Sequence, residues 1–257
     1  MPDWVNRFSL AGRTALVTGA SSGIGHAIAE VFADAGADVI GHGRAEDRLG
    51  DIGRRVEAKG RRFTPIAGDL ASTDETADIA ARALAAADGR IDILVNCAGI
   101  AITGPAVDLA VDDWVRTLTI NLTAPFILSK AVLPGMMARR MGKVINVSSQ
   151  TGVIALKDHS AYASSKGGLN ALTKSLMTEA APHNVQVNAI CPTVIMTEMG
   201  RQLWSAPEKK DPFISRTPLG RFGEPVEIAD MALYLASPAS DLVNGAIMMI
   251  EGGYSSI

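Results

Sequence analysis

Tyr162 and Lys166 lie four residues apart near the start of a predicted helix, so their side chains share one helix face. A lysine ammonium beside a phenol favours the phenolate, and we therefore expect the pKa of Tyr162 to fall from about 10 toward neutrality. Such a phenol can exchange a proton with an alcohol or a carbonyl oxygen. Ser149 ends an earlier predicted strand, where its hydroxyl could hydrogen-bond the same oxygen. An ordinary exposed Tyr/Lys pair and a turn serine are the alternatives.

Glycines occupy the junction between the first predicted strand and the helix that follows it, in the run Thr18–Gly25. Glycine lets the backbone approach a pyrophosphate closely, and the helix N-terminus supplies free N–H donors and a positive dipole. The spacing is Gly-x-x-x-Gly-x-Gly, which differs from the Gly-x-Gly-x-x-Gly of the larger dehydrogenases. The pattern predicts a dinucleotide site, with a tight strand-to-helix turn as the alternative. The predicted contacts come from Gly19, Ser21, Ser22, Gly23, Ile24 and Gly25.

The composition is that of a folded chain without a strong electrostatic field. The 257 residues are 47% hydrophobic and 20% charged, which excludes intrinsic disorder, coiled coil and collagen. There are 24 Lys and Arg residues against 27 Asp and Glu, so the net charge is −3. We therefore expect a small-molecule substrate, and neither nucleic acid nor a membrane surface as a partner.

Three sequence features bear on the cellular compartment. The N-terminal stretch Met1–Arg7 has no apolar run behind a positive region, so no secretory signal is expected. The longest uncharged run, Ala180–Thr197, is interrupted by prolines and amides, so no membrane span is expected. Cys97 and Cys191 are far apart, each in an apolar segment, as buried free thiols usually are. A reducing, cytoplasmic setting is the resulting expectation.

Short apolar runs alternate with longer stretches of helical spacing along the whole chain, without a linker or a repeat. This alternation is typical of a parallel sheet with crossover helices. The prediction is one α/β domain over residues 1–257, doubly wound, with helices on both faces of a seven-stranded sheet. The predicted strands are Thr14–Thr18, Ala37–Gly41, Arg62–Ile66, Ile91–Asn96, Lys143–Ser148, Val185–Ile190 and Ala246–Ile250.

The helices between these strands must position the chemical groups. Apolar residues recur at helical spacing over Ile24–Ala35, which predicts a helix that packs on the sheet. Ser72–Glu75 has the residues of a capping box, and Asp112–Arg140 and Tyr162–Ala181 predict two longer helices. Residues 197–225 lack a strong period and are predicted to form a substrate-covering insertion within the same domain.

These motifs occur in an order that resembles the short-chain dehydrogenase/reductase family along the whole chain. The resemblance implies a Rossmann-like, NAD(P)-dependent oxidoreductase. It also implies that a tyrosine is the acid/base, a serine orients the substrate oxygen, a lysine holds the nicotinamide ribose and lowers the tyrosine pKa, and an asparagine positions a relay water. Cys97 is a small departure, since the family more often has Asn or Ala there. The matching segments are Thr18–Gly25, Asn96–Gly99, Asn121, Ser149, Tyr162–Lys166 and Cys191–Thr193, and the implied catalytic tetrad is Asn121, Ser149, Tyr162 and Lys166.

The choice of cofactor is expected to depend on the end of the second predicted strand, where an acidic residue would bind the ribose 2′-hydroxyl of NAD. The chain has Gly43 there, followed by Arg44, and a guanidinium suits a 2′-phosphate, so NADP(H) is favoured. NAD(H) stays open, because Arg44 could be a solvated helix residue and Ser22 stands where many NADP-dependent relatives carry a basic residue. The further cofactor contacts implied by the resemblance are Asp69, Leu70, Asn96, Ala98, Gly99, Tyr162, Lys166, Pro192, Thr193, Val194 and Thr197.

On the substrate side, the chain looks like the L-xylulose (dicarbonyl) reductases and related sugar and polyol dehydrogenases. This likeness rests on Gln150, His159 and Trp204 in their local sequence, and it implies substrate contacts from these three with Ser149 and Tyr162. Polar side chains near the tyrosine suit a substrate with several hydroxyls. A helix-capping role for His159 and a core-filling role for Trp204 are the alternatives.

Two other functions stay open from the sequence. One is a reductase of 3-oxoacyl thioesters or of carbonyl compounds in general, which the short basic clusters Arg139-Arg140 and Lys209-Lys210 do not decide. The other is a nucleotide-binding protein without turnover, against which the intact catalytic residues argue. The resemblance also implies a homotetramer built from the long helices and the C-terminal segment, and no metal ion is expected at the site.

Overall fold

A parallel sheet of seven strands organises residues 3–257, the part of the chain that the computed structural model describes. The strands are β1 (Thr14–Thr18), β2 (Asp38–Gly43), β3 (Phe63–Ala67), β4 (Ile93–Asn96), β5 (Gly142–Val147), β6 (Val185–Pro192) and β7 (Ile247–Ile250). They lie in the order β3-β2-β1-β4-β5-β6-β7, with every neighbouring pair parallel. The predicted doubly wound α/β sheet is confirmed, and each predicted strand overlaps an observed one.

Helices cover both faces of this sheet. They are α1 (Asp3–Asn6), α2 (Gly23–Asp34), α3 (Glu46–Ala58), α4 (Thr73–Ala86), α5 (Val111–Leu118), α6 (Ala124–Arg139), α7 (Ser160–Ala180), α8 (Glu198–Trp204), α9 (Pro207–Ser215) and α10 (Pro225–Ala236). On one face α2, α3 and α10 pack around a core that includes Phe32 and Leu235. On the opposite face α4, α6 and α7 pack around Leu128 and Met136.

Residues of the central strands alternate between the two cores. On β1, Val17 packs in the core under α2 and α10, while Leu16 packs in the opposite core. Val95 and Leu94 repeat this alternation on β4, and all four side chains are fully buried. A strand that is buried on both faces needs an apolar residue at every position. The central strands are therefore continuous apolar runs in the sequence.

The neighbours β1 and β4 are the point where the winding direction reverses, and a crevice forms at the carboxyl ends of such strands. Thr18 joins the two strands at this edge. Its hydroxyl donates to the carbonyl of Val95 at 3.3 Å and accepts from the backbone N–H groups of Cys97 and Ala98 at 3.0 and 3.1 Å. The loops after β1 and β4 are thereby held together.

Two segments differ from their predictions. The predicted helix Asp112–Arg140 is continuous, but residues Thr119–Thr123 form a wider π-helical turn between α5 and α6. Residues 197–225, which show no strong period, contain the two short helices α8 and α9. Each of these helices has a local start signal, because the Thr197 hydroxyl accepts from Gly200 N in α8 and Pro207 is the first residue of α9.

The helical segment Val111–Arg139 is the one, within the described residues, that has the length and apolar composition to cross a membrane. Half of the most apolar 18-residue stretch of this segment is buried inside the protein. Leu128, Val132 and Met136 point from it into the core under the sheet, so its hydropathy is that of a core helix. Met1 and Pro2, on which the expected lack of a secretory signal partly rests, lie outside the described residues.

Candidate active site

A cavity of about 250 Å³ opens at the carboxyl ends of β1, β4, β5 and β6. Its wall combines backbone from the glycine-rich loop with polar side chains from β5 and α7. Most of the predicted site residues meet there: Gly19, Ser22, Gly23, Ile24, Gly25, Ala98, Gly99, Ser149, Gln150, His159, Tyr162, Lys166, Pro192, Thr193, Val194, Thr197 and Trp204. The predicted residues that lie off this wall are Ser21, Arg44, Asp69, Leu70, Asn96 and Asn121.

The glycine-rich loop packs too closely for side chains at two positions. Gly19 has φ +73°, and a Cβ on it would lie 3.1 Å from the backbone of Ala98. A Cβ on Gly25 would overlap the backbone of Gly19 itself. The loop leads directly into α2, and Ser22 at its N-cap makes no side-chain hydrogen bond within the described structure. The first N–H groups of α2 therefore face the cavity without a side-chain acceptor.

Tyr162 and Lys166 lie on the first turns of α7, as their spacing predicts. The Lys166 ammonium lies 5.7 Å from the centre of the Tyr162 ring and donates to the carbonyl of Val147 at 2.7 Å. Lys166 is only 4% exposed, and this burial lowers its pKa to about 8. A lysine nitrogen has three donor positions, so two remain beyond the bond to Val147.

The expected fall of the Tyr162 pKa is wrong for this structure. Burial of the phenol raises its pKa, because the charged phenolate loses more from desolvation than the neutral form. The nearby Ser149 hydroxyl opposes this and lowers the pKa of Tyr162, because it can donate to the phenolate. The phenol therefore retains its proton, and the nearby Lys166, whose own charge is disfavoured by burial, does not overcome the desolvation.

Asn121 lies in the π-helical turn, fully buried beneath the loop that follows β4. Its Oδ1 accepts from the Ile100 N–H at 2.9 Å, and its Nδ2 donates to the Ile100 carbonyl at 2.9 Å. Nδ2 also donates to the Ser165 hydroxyl at 3.0 Å, which reaches α7. The amide thus holds the loop beside Gly99 and the helix that carries Lys166, while the predicted relay water stays a prediction.

The predicted cofactor-choice region lies at the end of β2. A Cβ on Gly43 would lie 2.7 Å from the Ser21 hydroxyl, so an acidic side chain at Gly43 would require Ser21 to move. Arg44 follows and is exposed. Four residues further on, in α3, Arg48 forms an ion pair of 2.9 Å with Glu198, the first residue of α8 and part of the cavity wall.

Two predicted cofactor residues also make hydrogen bonds within the protein. The Asp69 carboxylate accepts from the Ala71 N–H at 3.0 Å, which is the turn role open to a strand-end aspartate. The Asn96 Nδ2 donates to Asn146 Oδ1 at 2.8 Å inside the sheet, and Asn96 does not line the cavity. The Asn96 Oδ1 has no hydrogen-bond partner within the described residues, and the cofactor contact of Asn96 stays a prediction.

The substrate end of the cavity combines polar and aromatic side chains. Gln150 is 2% exposed, and its Oε1 has no hydrogen-bond partner among residues 3–257. His159 Nδ1 lies 2.5 Å from the Lys157 carbonyl, which leaves Nε2 as the acceptor in the neutral ring. The His159 ring lies 6.3 Å from both Tyr162 and Trp204, and Trp204 packs 4.8 Å from Phe213. Trp204 therefore both fills an aromatic core and lines the cavity.

Sequence reasoning missed part of the wall, although two local signals were present. Thr151 follows Ser149 by two residues, a spacing at which hydroxyls cap short turns, and its hydroxyl lies 2.8 Å from that of Ser149. Met199 and Leu203 are four apart, as apolar positions of a short helix are. The missed residues are Cys97, Ala101, Val147, Ser148, Thr151, Leu156, Ile195, Glu198, Met199, Gly200 and Leu203.

Comparison with known proteins gives full-length matches. The family model described as enoyl-(acyl carrier protein) reductase matches residues 19–255. D-threitol dehydrogenase of Mycolicibacterium smegmatis is 43% identical over 253 residues, which cover 96% of this chain and 95% of that protein. L-xylulose reductase of Mus musculus is 38% identical, covering 95% of this chain and 97% of that protein. NAD-dependent glycerol dehydrogenase of Listeria innocua is 38% identical, covering 96% of each.

Solved structures agree on the fold. A gluconate 5-dehydrogenase of Burkholderia cenocepacia, in complex with NADP and tartrate, superposes with a TM-score of 0.93 at 35% identity. The match covers 99% of each chain. The single Rossmann-like domain predicted from the sequence is thereby confirmed.

Proposed function

Because this chain belongs to the short-chain dehydrogenase/reductase family, we propose that it transfers a hydride reversibly between a nicotinamide cofactor and a secondary alcohol or ketone. The family predicted from the sequence motifs is confirmed by the same matches. We favour a sugar, polyol or ketose as the substrate. The observation that carries the proposal is the convergence of Ser149, Tyr162 and Lys166 on a cavity that also receives the N-terminus of α2.

The residues present fit a dinucleotide. Gly19 and Gly25 keep the loop free of side chains at the N-terminus of α2, where N–H groups would hold a pyrophosphate. Thr193 on the cavity wall has a buried hydroxyl that lacks a partner in the described part of the chain, as expected of a ligand contact. Lys166 would hold the nicotinamide ribose through its two remaining donors. The bound cofactor supplies or accepts the hydride.

Tyr162 acts as the acid in reduction and as the base in oxidation. Its raised pKa keeps the proton on the phenol until a carbonyl oxygen that gains negative charge can take it. Ser149 donates a hydrogen bond toward the same oxygen and stabilises the developing charge. Lys166 places a cation beside the phenol, which stabilises the phenolate left after transfer.

NADP(H) is the favoured cofactor and NAD(H) the alternative. Gly43 offers no carboxylate to repel a 2′-phosphate, and Arg44 lies next to it with an exposed guanidinium. The relatives are divided, since the glycerol dehydrogenase is NAD-dependent while the gluconate dehydrogenase structure contains NADP.

A polyhydroxylated substrate is supported by the polar groups near Tyr162. The unpartnered Oε1 of Gln150 can accept from one substrate hydroxyl and Nε2 of His159 from another. Residues 197–225 would cover the substrate as a lid, and its α8 part, including Leu203 and Trp204, lines the cavity. The names of two relatives, D-threitol dehydrogenase and L-xylulose reductase, refer to a polyol and a ketose.

A substrate screen tests this proposal. Polyols and ketoses are offered with NADP(H) and with NAD(H), and turnover is followed at the nicotinamide absorbance. We expect at least one polyol or ketose pair to be the best substrate, and Gln150→Leu to raise its KM several-fold, as loss of one hydrogen bond would. Better turnover of 3-oxoacyl thioesters or simple hydrophobic ketones would move the assignment to a general carbonyl reductase.

Assembly and compartment complete the proposal. Val111, Val115 and Phe126 leave apolar side chains exposed along α5 and α6, which suits a two-fold contact between copies within a homotetramer. Light scattering at micromolar concentration checks this, and a monomer would contradict it. The free thiols of Cys97 and Cys191 support a reducing, cytoplasmic setting.

A further inference from the structure

Two hydrogen-bond donors lie close to the Ser149 hydroxyl, and both belong to Thr151. Thr151 donates its backbone N–H to Ser149 Oγ at 3.2 Å and lies with its own hydroxyl 2.8 Å from the same atom. Ser149 adopts an extended backbone and caps the short 3₁₀ turn Gln150–Gly152, so this arrangement is part of the turn itself. Both residues are almost fully buried and both line the cavity.

The direction of the bond between the two hydroxyls follows from what each can reach. Within residues 3–257, the hydroxyl of Thr151 forms a hydrogen bond with Ser149 and with no other residue. If Ser149 donated to Thr151, the buried Thr151 proton would be left without an acceptor, which costs more than a satisfied bond. Thr151 therefore donates, and Ser149 accepts.

A hydroxyl has one donor and two acceptor positions. Thr151 fills both acceptor positions of Ser149, one through its N–H and one through its hydroxyl. The Ser149 oxygen can then offer only its own proton. Tyr162 lines the same cavity, and the Ser149 hydroxyl acts to lower the pKa of its phenol.

We propose, resting on the function above, that Thr151 is a positioning residue that makes Ser149 an obligatory hydrogen-bond donor toward Tyr162 and the reacting oxygen. With the Thr151 hydroxyl gone, Ser149 regains an acceptor position, and the Tyr162 phenol can donate to it. That bond stabilises the neutral phenol and turns the serine proton away from the oxygen on which charge develops. Chains of hydroxyl hydrogen bonds also polarise one another, so the Thr151 bond strengthens the donation by Ser149.

The test compares Thr151→Val, which keeps the shape and loses the hydroxyl, with Thr151→Ser, which keeps the hydroxyl and loses the methyl group. The readout is the pKa of Tyr162 in the complex with oxidised cofactor, measured by the tyrosinate absorbance. Subtracting the titration of Tyr162→Phe removes the contributions of Tyr234 and Tyr254. We expect Thr151→Val to raise the pKa by about half to one unit, the equivalent of one neutral hydrogen bond, and Thr151→Ser to stay at the wild-type value.

Turnover provides the second readout. Thr151→Val should lower kcat about three- to tenfold with little change in cofactor affinity, and Thr151→Ser should recover most of it. Thr173→Val is the matched control, because it removes another buried hydroxyl from the same region, one that bonds Asn146 at 2.9 Å. It should lower stability without moving the pKa of Tyr162.

The outcomes separate this inference from the proposed function. An unchanged Tyr162 pKa in Thr151→Val, or an equal shift in Thr173→Val or Thr151→Ser, overturns the role of the Thr151 hydroxyl whatever the turnover. A wild-type protein that reduces or oxidises none of the offered substrates overturns the proposed function. The positioning role would still be supported in that case if the pKa moves as described.

Discussion

At the residue scale, burial governs the two groups whose spacing first indicated catalysis. Desolvation raises the pKa of Tyr162 and lowers the pKa of Lys166 to about 8, so each is shifted toward its neutral form. Their separation of four residues could be read from the sequence, but their burial depends on β5 and the loop after β4. The pattern therefore predicted that the two side chains lie together, but it predicted the wrong direction for the pKa of the tyrosine.

Replacing Tyr162 with phenylalanine removes only the hydroxyl. We expect turnover to fall by about 10²–10⁴, the usual contribution of general acid/base help, while cofactor affinity changes little. Steady-state kinetics and cofactor titration by fluorescence measure the two effects. Wild-type turnover by this variant would contradict the assigned role of the phenol.

Arg44→Asp places a carboxylate where a 2′-phosphate would lie. Loss of a charge-assisted contact and added repulsion should weaken NADP(H) about tenfold to a hundredfold and spare or improve NAD(H). Arg54→Asp, an exposed change further along α3, is the control. Equal affinities of Arg44→Asp and wild type for both cofactors would leave the preference for NADP(H) without its main support.

At the element scale, predictability depended on how local the signal was. The strands and the helices α2, α6 and α7 could be predicted, because burial on both faces or on one stripe imposes a period on the sequence. The π-helical turn at Thr119–Thr123 could not, since one residue of extra winding leaves the apolar period almost unchanged. The helices α8 and α9 are too short to show a period, and only Thr197 and Pro207 marked their starts.

The same distinction applies to the site. Residues predicted by their type, such as Ser149 and Tyr162, do lie on the cavity wall. Residues that act through packing or through a neighbour's hydrogen bonds, such as Leu203 and Thr151, depend on contacts that a linear pattern does not contain.

The proposed lid includes α8, where the Trp204 ring packs edge-on against Phe213 of α9. Trp204→Ala removes this contact and should raise the KM for substrate several-fold, because the lid is ordered less well over the cavity. Trp204→Phe keeps an aromatic ring and should stay closer to wild type. Cofactor affinity, measured in parallel, should be similar in both variants. A larger effect on cofactor affinity than on the substrate KM would argue against a lid role.

At the scale of the whole molecule, a buried histidine links stability to pH. His42 on β2 is 2% exposed, and burial lowers its pKa from 6.5 to about 4. The unfolded chain takes up a proton near pH 6.5, whereas the folded protein does so only near pH 4. The contribution of neutral His42 to the free energy of unfolding is therefore fully present above about pH 6.5 and is lost as the pH falls toward 4.

Because of this linkage, the free energy of unfolding should fall by about 2 kcal/mol when the pH is lowered from about 7 to about 5. Urea denaturation at the two pH values measures the loss. His42→Asn should be less stable at neutral pH but should lose about 2 kcal/mol less on acidification. His26→Asn, which replaces a half-buried histidine of α2 beside Asp51, is the control substitution. Identical acid sensitivity of His42→Asn and wild type would exclude His42 as the cause.

An ion pair between Arg48 and Glu198 ties α3, the helix after β2, to the first residue of α8. If residues 197–225 cover the substrate as proposed, we expect cofactor release and movement of this segment to be coupled through the pair. Both partners are solvated, and such pairs contribute at most about 1 kcal/mol and weaken as salt screens them. High salt should weaken this ion pair. The rate of cofactor dissociation, measured by stopped flow, should therefore rise up to about fivefold in high salt. The cofactor should dissociate quickly from Glu198→Gln at every salt concentration. A wild-type salt dependence in that variant would show that the two movements are independent.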